Sequence, residues 1–385
     1  MTRVLFIANT YPYWTGTDAG GLMLIRRMIA RGYRVTVLQT WSTTLEQHLE
    51  NGNGVTLVRA LGNDMRFEHM QAGWVQLMRQ HASDVCILNK GFYLMRNEWV
   101  DLAARLSSRR YVAMENHPAD QPDARFTGKR RLKTQAAFTL HYAALHEVVA
   151  ISASVRNRLR QWYRLPRNKG VVVPYGIDTR KHSFDAAGRH RLRTKLGLSN
   201  DTFLLGSVGR LEIEKGLDRL LPVFARLVFE MPGRDLRLVL AGEGRQGERL
   251  QEDAAWLGIA DRVIFPGWLE EADRIPFLSA LDCFTMPSRD EGQGLSLIEA
   301  MACERPVIGT ACGGVDDILT DPAAGWIVPN EDELTGFGQA LREVLALPAG
   351  QRALTGEQAR RHVEINFDID KQADRQIDAL LGPFR

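Results

Sequence analysis

The feature that most constrains the fold is an alternation of short apolar runs with longer amphipathic segments, which occurs twice along the chain. The first run, Arg3–Ala8, is followed by a loop over Asn9–Gly21, a helical segment over Leu22–Arg31 and a second run, Arg34–Gln39. A strand, a helix and a strand in this order form a βαβ unit. Further strands of this half are predicted at Val55–Arg59, Val85–Leu88, Tyr111–Met114 and Val148–Ile151.

The second alternation begins after a segment that is rich in turn-forming residues. The run Val171–Asp178 contains Pro174 and Gly176, and with the polar stretch that continues to Asn200 it predicts a crossing between two domains. Strands are then predicted at Phe203–Val208, Leu236–Ala241, Val263–Phe265, Cys283–Met286 and Pro306–Thr310. The helices between them are predicted at Leu217–Glu230, Gly247–Leu257, Ile275–Ala280 and Leu295–Ala302.

Two such alternations predict two domains, for which a chain of 385 residues is long enough. We therefore expect an α/β protein with two tandem Rossmann-like, doubly wound domains that face each other across a cleft. The first domain is placed at residues 1–174 and the second at residues 175–365. Residues 366–385 are predicted to form a C-terminal helix that packs back toward the first domain.

Cysteine use and hydropathy indicate the compartment. None of the four cysteines forms a C-x-x-C pair or a cluster with zinc-ligand spacing, and most lie within apolar runs, which is typical of a reducing compartment. No apolar run resembles the core of a signal peptide or approaches the roughly 20 residues that a membrane span needs. We expect a cytoplasmic protein that at most lies on the inner face of a membrane.

The charge is distributed unevenly between the two halves. Residues 1–180 hold 25 Lys and Arg against 13 Asp and Glu, a net charge of +12, whereas residues 181–385 hold 24 against 33, a net charge of −9. Arg125–Lys133 carries five cations and no acid, and Ser154–Lys169 carries six with Trp162 and Tyr163 among them. These segments predict contact with an anionic membrane surface. Nucleic acid is the rival partner, but no recognisable nucleic-acid-binding motif accompanies the charge.

The most informative stretch for chemistry runs from Ser288 to Ala302. A buried strand ends just before it, a loop with glycines carries Glu291, and a helix opens near Gly294. The first amides of that helix, at Gly294, Leu295 and Ser296, suit a diphosphate because they point outward at the positive end of the helix dipole. Glu299 lies inside the same helix among apolar neighbours, and such an acid is seldom without a role.

A second stretch supplies two cations near a strand end. Arg210 follows the strand predicted over Phe203–Val208, and Lys215 precedes the next helix, with Gly209 and Gly216 beside them. At the carboxyl edge of a parallel sheet, these two side chains can neutralise a diphosphate without a metal ion. Either cation alone would be an ordinary surface residue, so the interpretation depends on the pair.

These residues resemble the GT-B-fold retaining glycosyltransferases of the family 4 type, also described as glycosyl transferases group 1. The resemblance covers nearly the whole chain and is strongest between Val172 and Pro329. It rests on Val-Pro-Tyr-Gly-Ile-Asp at 173–178, Gly-Arg-Leu with Lys-Gly at 209–216, Ala-Gly-Glu-Gly at 241–244, Phe-Pro-Gly-Trp at 265–268, and two glutamates separated by seven residues at 291 and 299. The set is specific, although each piece alone is weak.

The resemblance implies roles for individual residues in binding the nucleotide-sugar donor. Glu291 would meet the donor sugar, Glu299 the ribose, and Arg210 with Lys215 the diphosphate. The other residues that it places at the donor are glycines and helix-start residues, namely Gly20, Gly21, Gly242, Gly267, Gly294, Leu295 and Ser296. It also places His117, in Glu-Asn-His-Pro, near the reacting centre, so that the predicted catalytic set is His117, Arg210, Lys215 and Glu291.

The resemblance also implies a retaining hexosyl transfer without metal or other cofactor, with residues 1–174 on the acceptor side. The acceptor is expected to be a glycolipid or saccharide of the cell envelope, as in polysaccharide or lipopolysaccharide biosynthesis. The chain departs from the family pattern at Glu304, where glycine is common, and at Asp316–Asp317, where Pro-Glu is common. These departures leave the donor preference open.

Other functions remain open at this point. Gly242–Gly247 matches the G-x-G-x-x-G dinucleotide pattern, but the next predicted strand ends in Pro-Gly-Trp rather than in an acid. Asp368–Asp370 matches the D-x-D metal–diphosphate pattern, but it precedes a predicted helix that Asp would cap. A nucleotide-sugar epimerase of related fold and a non-catalytic carbohydrate or lipid-surface binding protein are the alternatives to the transferase.

Overall fold

The computed structural model describes residues 1–9, 16–39, 44–59, 71–90, 98–116, 128–199 and 201–382. The chain divides into two compact units. Unit 1 comprises Met1–Gly176 together with Ile369–Arg385, and unit 2 comprises Ile177–Asp368. The boundaries expected from the sequence, after residues 174 and 365, lie close to these.

Unit 1 is built on a seven-stranded parallel sheet with the strand order β3-β2-β1-β4-β5-β6-β7. The strands are β1 (Arg3–Asn9), β2 (Arg34–Gln39), β3 (Val55–Arg59), β4 (Ser83–Lys90), β5 (Ser108–Glu115), β6 (Glu147–Ala150) and β7 (Val171–Val172). The helices described between them are α1 (Gly16–Ala30), α2 (Gln71–Gln80), α3 (Glu98–Ser107), α4 (Gly128–Ala144) and α5 (Ala153–Tyr163). The strand order reverses between β1 and β4, where a doubly wound domain binds its ligands.

Unit 2 repeats this plan with a six-stranded parallel sheet of order β10-β9-β8-β11-β12-β13. Its strands are β8 (Phe203–Val208), β9 (Leu236–Ala241), β10 (Val263–Gly267), β11 (Cys283–Met286), β12 (Val307–Thr310) and β13 (Trp326–Val328). Its helices are α6 (Ala186–Lys195), α7 (Leu217–Glu230), α8 (Gly247–Trp256), α9 (Glu271–Ala280), α10 (Leu295–Ala302), α11 (Val315–Ile318), α12 (Thr335–Ala346) and α13 (Ala349–Asn366). The order reverses between β8 and β11, both of which are buried along their whole length.

The chain ends in helix α14 (Ile369–Leu381), which belongs to unit 1. Arg27 of α1 pairs with Asp374 of α14, and Arg110 of β5 donates hydrogen bonds to the last carbonyl groups of α14. Gln376, which is buried, donates to the carbonyl groups of residues 173 and 174. These contacts tie the end of the chain to the sheet of unit 1.

The loop expected over Asn9–Gly21 is wrong in its second part, because α1 already begins at Gly16. Gly20 and Gly21 therefore lie inside a helix and are buried. A Cβ atom at Gly20 would lie 2.2 Å from the ring of Tyr175, and one at Gly21 would lie 3.0 Å from Asn89 Nδ2. Tertiary packing at these positions outweighs the low helix propensity of glycine.

The polar stretch between Asp178 and Asn200 also contains structure that the sequence interpretation did not predict. Helix α6 begins there after Asp185, whose side chain accepts a hydrogen bond from the amide of Gly188. Arg193 of this helix is buried and pairs with Asp282, which precedes β11. The stretch is therefore part of unit 2 and packs on α9.

Within the described ranges, none of the helices is both long and apolar enough to serve as a membrane span. The four cysteines are buried and free.

Candidate functional site

A recess opens at the carboxyl ends of β8 and β11, where the strand order of unit 2 reverses. Residues from the loops after both strands line it, among them Gly209, Arg210, Lys215, Ser288, Glu291 and Ser296. Parallel sheets bind ligands at such a point because the loops on either side diverge there. The structure thus brings Arg210, Lys215, Glu291 and Ser296 of the predicted site into one recess.

Lys215 and Glu291 form an ion pair inside this recess. Lys215 Nζ lies 2.7 Å from Glu291 Oε1, and the Glu291 side chain is only 8% exposed. The same oxygen accepts a hydrogen bond of 2.8 Å from Ser288 Oγ, and Ser288 is itself buried. Glu291 is therefore a buried carboxylate with two polar partners, Lys215 and Ser288, rather than a solvated loop acid.

Glycines allow the two loops to approach each other closely enough for this pair to form. Gly216 adopts a left-handed conformation with φ of 64°, and a Cβ atom there would lie 2.1 Å from the carbonyl oxygen of Pro287. On the other side, a Cβ atom at Gly313 would lie 1.8 Å from the carbonyl oxygen of Glu291. The backbone around Glu291 is thus packed between two glycines that leave no space for a side chain.

Arg210 is also paired with a carboxylate. Its Nη2 lies 2.9 Å from Glu214 Oε1, and both side chains are 33% exposed. The carbonyl oxygen of Glu214 accepts a hydrogen bond of 2.7 Å from the amide of Arg289 and so joins this turn to the loop after β11. Sequence reasoning did not assign a role to Glu214, although its spacing of four residues from Arg210 favours an ion pair.

A second ion pair joins the same two loops just outside the recess. Arg289 contacts both carboxylate oxygens of Asp218 at 2.6 and 2.8 Å. Burial alone would raise the pKa of Asp218, but the hydrogen bonds and charge of Arg289 outweigh it and lower that pKa. Asp218 therefore stays ionised, and this pair fixes the loop that carries Glu291 against the start of α7.

Helix α10 begins at Leu295, and the residue before it, Gly294, has a φ of 96° and occupies the N-cap position. The amides of Leu295 and Ser296 are among the first of the helix and have no acceptor within it. Because Ser296 lines the recess, the positive end of the α10 dipole is directed at the same region as Arg210 and Lys215. This arrangement is suited to a negatively charged group.

Glu299 lies further along α10 and is not among the residues that line this recess. Its Oε2 accepts a hydrogen bond of 2.6 Å from Arg274 Nε of α9, and its side chain is 14% exposed. The structure therefore explains how an acid can lie in so apolar a helix. Sequence reasoning missed Arg274, because only the fold brings α9 beside α10.

Gly242 and Gly267 lie at the carboxyl ends of β9 and β10, at the same edge of the sheet. The amide of Gly242 donates to the carbonyl oxygen of Gly267 at 2.8 Å. A Cβ atom at Gly242, where φ is 135°, would lie 1.8 Å from the carbonyl oxygen of Gly209. Gly242 thus allows the loops after β8 and β9 to touch.

The predicted residues of unit 1 belong to the first half of the sequence. Gly20 and Gly21 are buried inside unit 1, and His117 lies outside the described residues. Two residues earlier, Glu115 accepts a hydrogen bond of 2.7 Å from Lys90 Nζ, and both side chains are almost fully buried. Tyr142 contacts both, and burial raises its pKa well above the ordinary value.

A further buried chain of hydrogen bonds reaches the end of β4. Tyr175 Oη donates to Asn116 Oδ1, and Asn116 Nδ2 donates to Asn89 Oδ1, both at 2.6 Å. Sequence reasoning missed these residues and the Lys90–Glu115 pair because they are isolated polar residues without motif spacing. Among the described residues, no group of three or more His, Cys, Asp or Glu side chains is placed to hold a metal ion.

Comparisons with known proteins agree with this architecture. The family model for glycosyl transferases group 1 matches residues 188–362, and that for glycosyltransferase family 4 matches residues 21–181. A D-inositol 3-phosphate glycosyltransferase of Geodermatophilus obscurus is 28% identical over 397 aligned residues, which cover 94% of this chain and 84% of the relative. A GDP-mannose-dependent monoacylated alpha-(1-6)-phosphatidylinositol monomannoside mannosyltransferase of Corynebacterium glutamicum is 31% identical over 54% of this chain and 55% of its own length.

Two solved structures show the same fold. HepE from Anabaena, in complex with UDP and glucose, superposes with a TM-score of 0.76 at 18% identity and covers 99% of this chain and 100% of HepE. WaaG, described as a glycosyltransferase involved in lipopolysaccharide biosynthesis, superposes with a TM-score of 0.74 at 20% identity over 98% of this chain and 100% of WaaG. With one family model on each half of the chain and this fold throughout, the chain belongs to the GT-B glycosyltransferases of the family 4 type.

Proposed function

We propose that this protein transfers a sugar from a nucleotide diphosphate sugar to a saccharide or glycolipid of the cell envelope, with retention of configuration and without a metal ion or other cofactor. The observation that carries the proposal is the recess of unit 2. Two cations, a buried carboxylate and the positive end of α10 meet there at the switch point of a doubly wound sheet. Diphosphate groups are bound by this combination of charges and helix amides in proteins.

The arrangement of the recess suggests which residues bind each part of the donor. Arg210, Lys215 and the first amides of α10 would hold the diphosphate, and Glu291 would accept hydrogen bonds from hydroxyl groups of the sugar. Glu299, which is held by Arg274, would accept hydrogen bonds from the ribose through its other carboxylate oxygen. Carboxylates suit vicinal hydroxyl groups because each oxygen accepts more than one hydrogen bond.

In the reaction, the bond between the anomeric carbon and the diphosphate oxygen breaks, and a bond to the acceptor hydroxyl oxygen forms on the same face of the sugar. The acceptor proton passes to the departing phosphate oxygen. Arg210 and Lys215 stabilise the charge that develops on the diphosphate in the transition state, which is the largest contribution that a rigid polar site makes to catalysis. The same proposal includes His117, which the family resemblance places near the reacting centre.

The relatives support a nucleotide-sugar donor but differ in the donor and acceptor that their names state. HepE is described with UDP and glucose, whereas the Corynebacterium relative is named for GDP-mannose and a phosphatidylinositol mannoside. Another relative is named for D-inositol 3-phosphate. Inositol compounds therefore recur in the names of two of these relatives, and we place the acceptor of this protein among polar lipids and polyols.

Peripheral attachment to an anionic membrane surface is the second part of the proposal. The fold changes which residues support it, because some cations of the basic segment Ser154–Lys169 are engaged within unit 1. Lys169 donates hydrogen bonds to the carbonyl groups of Tyr142 and Ala143 at the end of α4, so this cation is used within the fold. Arg160 likewise bonds the carbonyl oxygens of residues 167 and 169. Of the six cations in the segment Ser154–Lys169, Arg164 and Arg167 are exposed and the other four are half-buried.

Exposed leucines add to the support that the exposed cations give. Leu102 and Leu106 of α3 are 47% and 59% exposed, and Leu132 and Leu140 of α4 are 68% and 71% exposed. Asp101 and His141 contact each other at 2.8 Å where α3 and α4 meet. Leu102 follows Asp101 and Leu140 precedes His141 in the sequence, so the exposed leucines lie on two neighbouring helices. Exposed Arg105 and Lys133 accompany them, which favours a lipid surface that is both apolar and anionic.

The proposal is tested by screening a panel of nucleotide sugars for nucleotide release, with and without envelope lipid extract as acceptor, and in excess chelator. We expect release from one donor that depends on the acceptor and persists in chelator. Release without any acceptor, with free sugar as the other product, would indicate the epimerase reaction instead. Complete loss of activity in chelator would contradict metal independence.

A further inference from the structure

The two cations that are proposed to bind the donor diphosphate are not free in this structure. Arg210 is paired with Glu214 at 2.9 Å, and Lys215 is paired with Glu291 at 2.7 Å. Two positive and two negative side chains therefore occupy the recess and its rim. A diphosphate that binds the guanidinium and the ammonium groups therefore has to compete with the two carboxylates for their positive charge.

The two ion pairs differ in the free energy that is needed to replace the carboxylate by a diphosphate. Both members of the Arg210–Glu214 pair are 33% exposed, so a displaced Glu214 can be solvated by water. Glu291 is only 8% exposed and would keep the Ser288 hydrogen bond but lose its cation. A buried carboxylate that loses its cation is costly, because water cannot replace the lost partner.

An intact donor compensates for this loss, and the free nucleotide does not. When the diphosphate of the donor takes Lys215, hydroxyl groups of the attached sugar can bond Glu291 in its place. After the sugar has been transferred, the nucleoside diphosphate still holds Lys215, but Glu291 has no sugar partner. Re-formation of the Lys215–Glu291 ion pair then competes with the bound nucleoside diphosphate for Lys215.

We propose that Glu214 and Glu291 are built-in competitors of the diphosphate, and that the Lys215–Glu291 pair makes the site bind the intact donor in preference to the nucleoside diphosphate product. Glu214 sets the general affinity for diphosphate at Arg210. Glu291 makes affinity depend on the presence of the sugar and so favours product release. This inference rests on the proposed function, because it takes the recess to be the donor site.

The test is calorimetric titration of the whole chain with UDP, GDP and ADP and with the sugar nucleotide that the panel identifies. Glu214→Gln should lower the Kd of the nucleoside diphosphate about 2- to 5-fold, the range expected for a half-exposed ion pair. Glu291→Gln should lower it on the order of 10-fold, because a charged hydrogen bond inside the site is removed. For the intact donor, Glu291→Gln should give no such gain, since the contact with the sugar is weakened as well.

Glu212→Gln is the matched control. Glu212 lies two residues before Glu214 and has a side chain that is 11% exposed, but it pairs with Arg245 rather than with either donor-site cation. The control removes the same charge from the same turn, and its Kd values should equal those of the wild type. Thermal unfolding of all three variants establishes that each is folded before it is titrated.

The outcomes separate the inference from the proposed function. If the wild type binds neither the three nucleoside diphosphates nor any sugar nucleotide of the panel, the recess is not a donor site and both proposals fail. If the wild type binds one of them and the Glu214→Gln and Glu291→Gln variants bind it equally or more weakly, the carboxylates are not competitors and only the inference fails. A gain in Glu212→Gln equal to that in Glu214→Gln would also overturn it, because net charge would then explain the effect.

Discussion

At the scale of single residues, Lys215 is the side chain on which the proposed chemistry most depends. Among the described residues that line the recess of unit 2, Lys215 is the one lysine, and its Nζ lies 2.7 Å from the buried carboxylate of Glu291. Lys215→Ala should lower kcat on the order of 10²-fold, because one of two groups that stabilise the leaving diphosphate is lost. Steady-state kinetics with the identified donor measure the effect.

Lys181→Ala is a suitable comparison for this variant. Lys181 belongs to the same unit and pairs with Glu271, but that pair is largely exposed and lies outside the recess. Its turnover should match that of the wild type. Turnover close to normal in Lys215→Ala would remove Lys215 from the catalytic set.

Glu299 and Glu291 should respond differently to substitution, although the sequence pattern presents them as one motif. Glu299 is held by Arg274 outside the recess that Glu291 lines. Glu299→Ala should therefore raise the donor KM with little change in kcat, whereas Glu291→Ala should lower kcat and alter the choice among sugars. Arg274→Ala should shift KM in the same direction as Glu299→Ala. Equal effects of Glu299→Ala and Glu291→Ala on kcat and KM would contradict these separate roles.

At the scale of elements, the buried strands were the easiest part of the fold to predict. The bounds of β2, β3, β8, β9, β11, α7 and α10 agree with those expected from the sequence. For β8 and β11, which are buried along their whole length, the reason is that a strand buried on both faces gives a continuous apolar run. Strand β13, with only three residues, gave too short a run to be predicted. The start of α1 was misplaced because glycines there serve packing, and no local pattern shows which distant ring will lie against them.

That packing leads to a prediction for α1. Gly20→Ala would place a Cβ atom 2.2 Å from the buried ring of Tyr175, which itself bonds Asn116, so the ring cannot move without breaking a buried hydrogen bond. We expect the free energy of unfolding of unit 1 to fall by about 1–3 kcal/mol, the usual cost of overpacking. Denaturant unfolding followed by circular dichroism measures the change.

Gly350→Ala provides the comparison for a helical glycine without such a neighbour. Gly350 lies in α13 and has no atom within 4 Å of the position where its Cβ would be. This substitution should leave stability unchanged or raise it slightly, since alanine is the better helix former. If Gly20→Ala and Gly350→Ala have the same effect, the close approach of Tyr175 is not what requires glycine at position 20.

At the scale of the whole molecule, sequence motifs located the cations and carboxylates of the donor recess but not their partners. Arg210, Lys215 and Glu291 could be identified because they follow buried strands at family spacing. The pairing of Lys215 with Glu291 depends on how two loops meet, which no spacing encodes. The same holds for the basic segments, where the sequence counts cations and the fold decides which of them remain available.

The exposed leucines of α3 and α4 lead to the last prediction, which concerns attachment to membranes. Liposomes that contain anionic lipid should carry the protein upward in a flotation gradient at low salt, and the bound fraction should fall as salt rises, because part of the attraction is electrostatic. Leu140→Ser should reduce the bound fraction, since Leu140 is 71% exposed beside the contact between α3 and α4. Ile365→Ser, at a residue of unit 2 that is 70% exposed, should not reduce it. Equal flotation with neutral and anionic liposomes, or equal loss in the two variants, would contradict an attachment surface on α3 and α4.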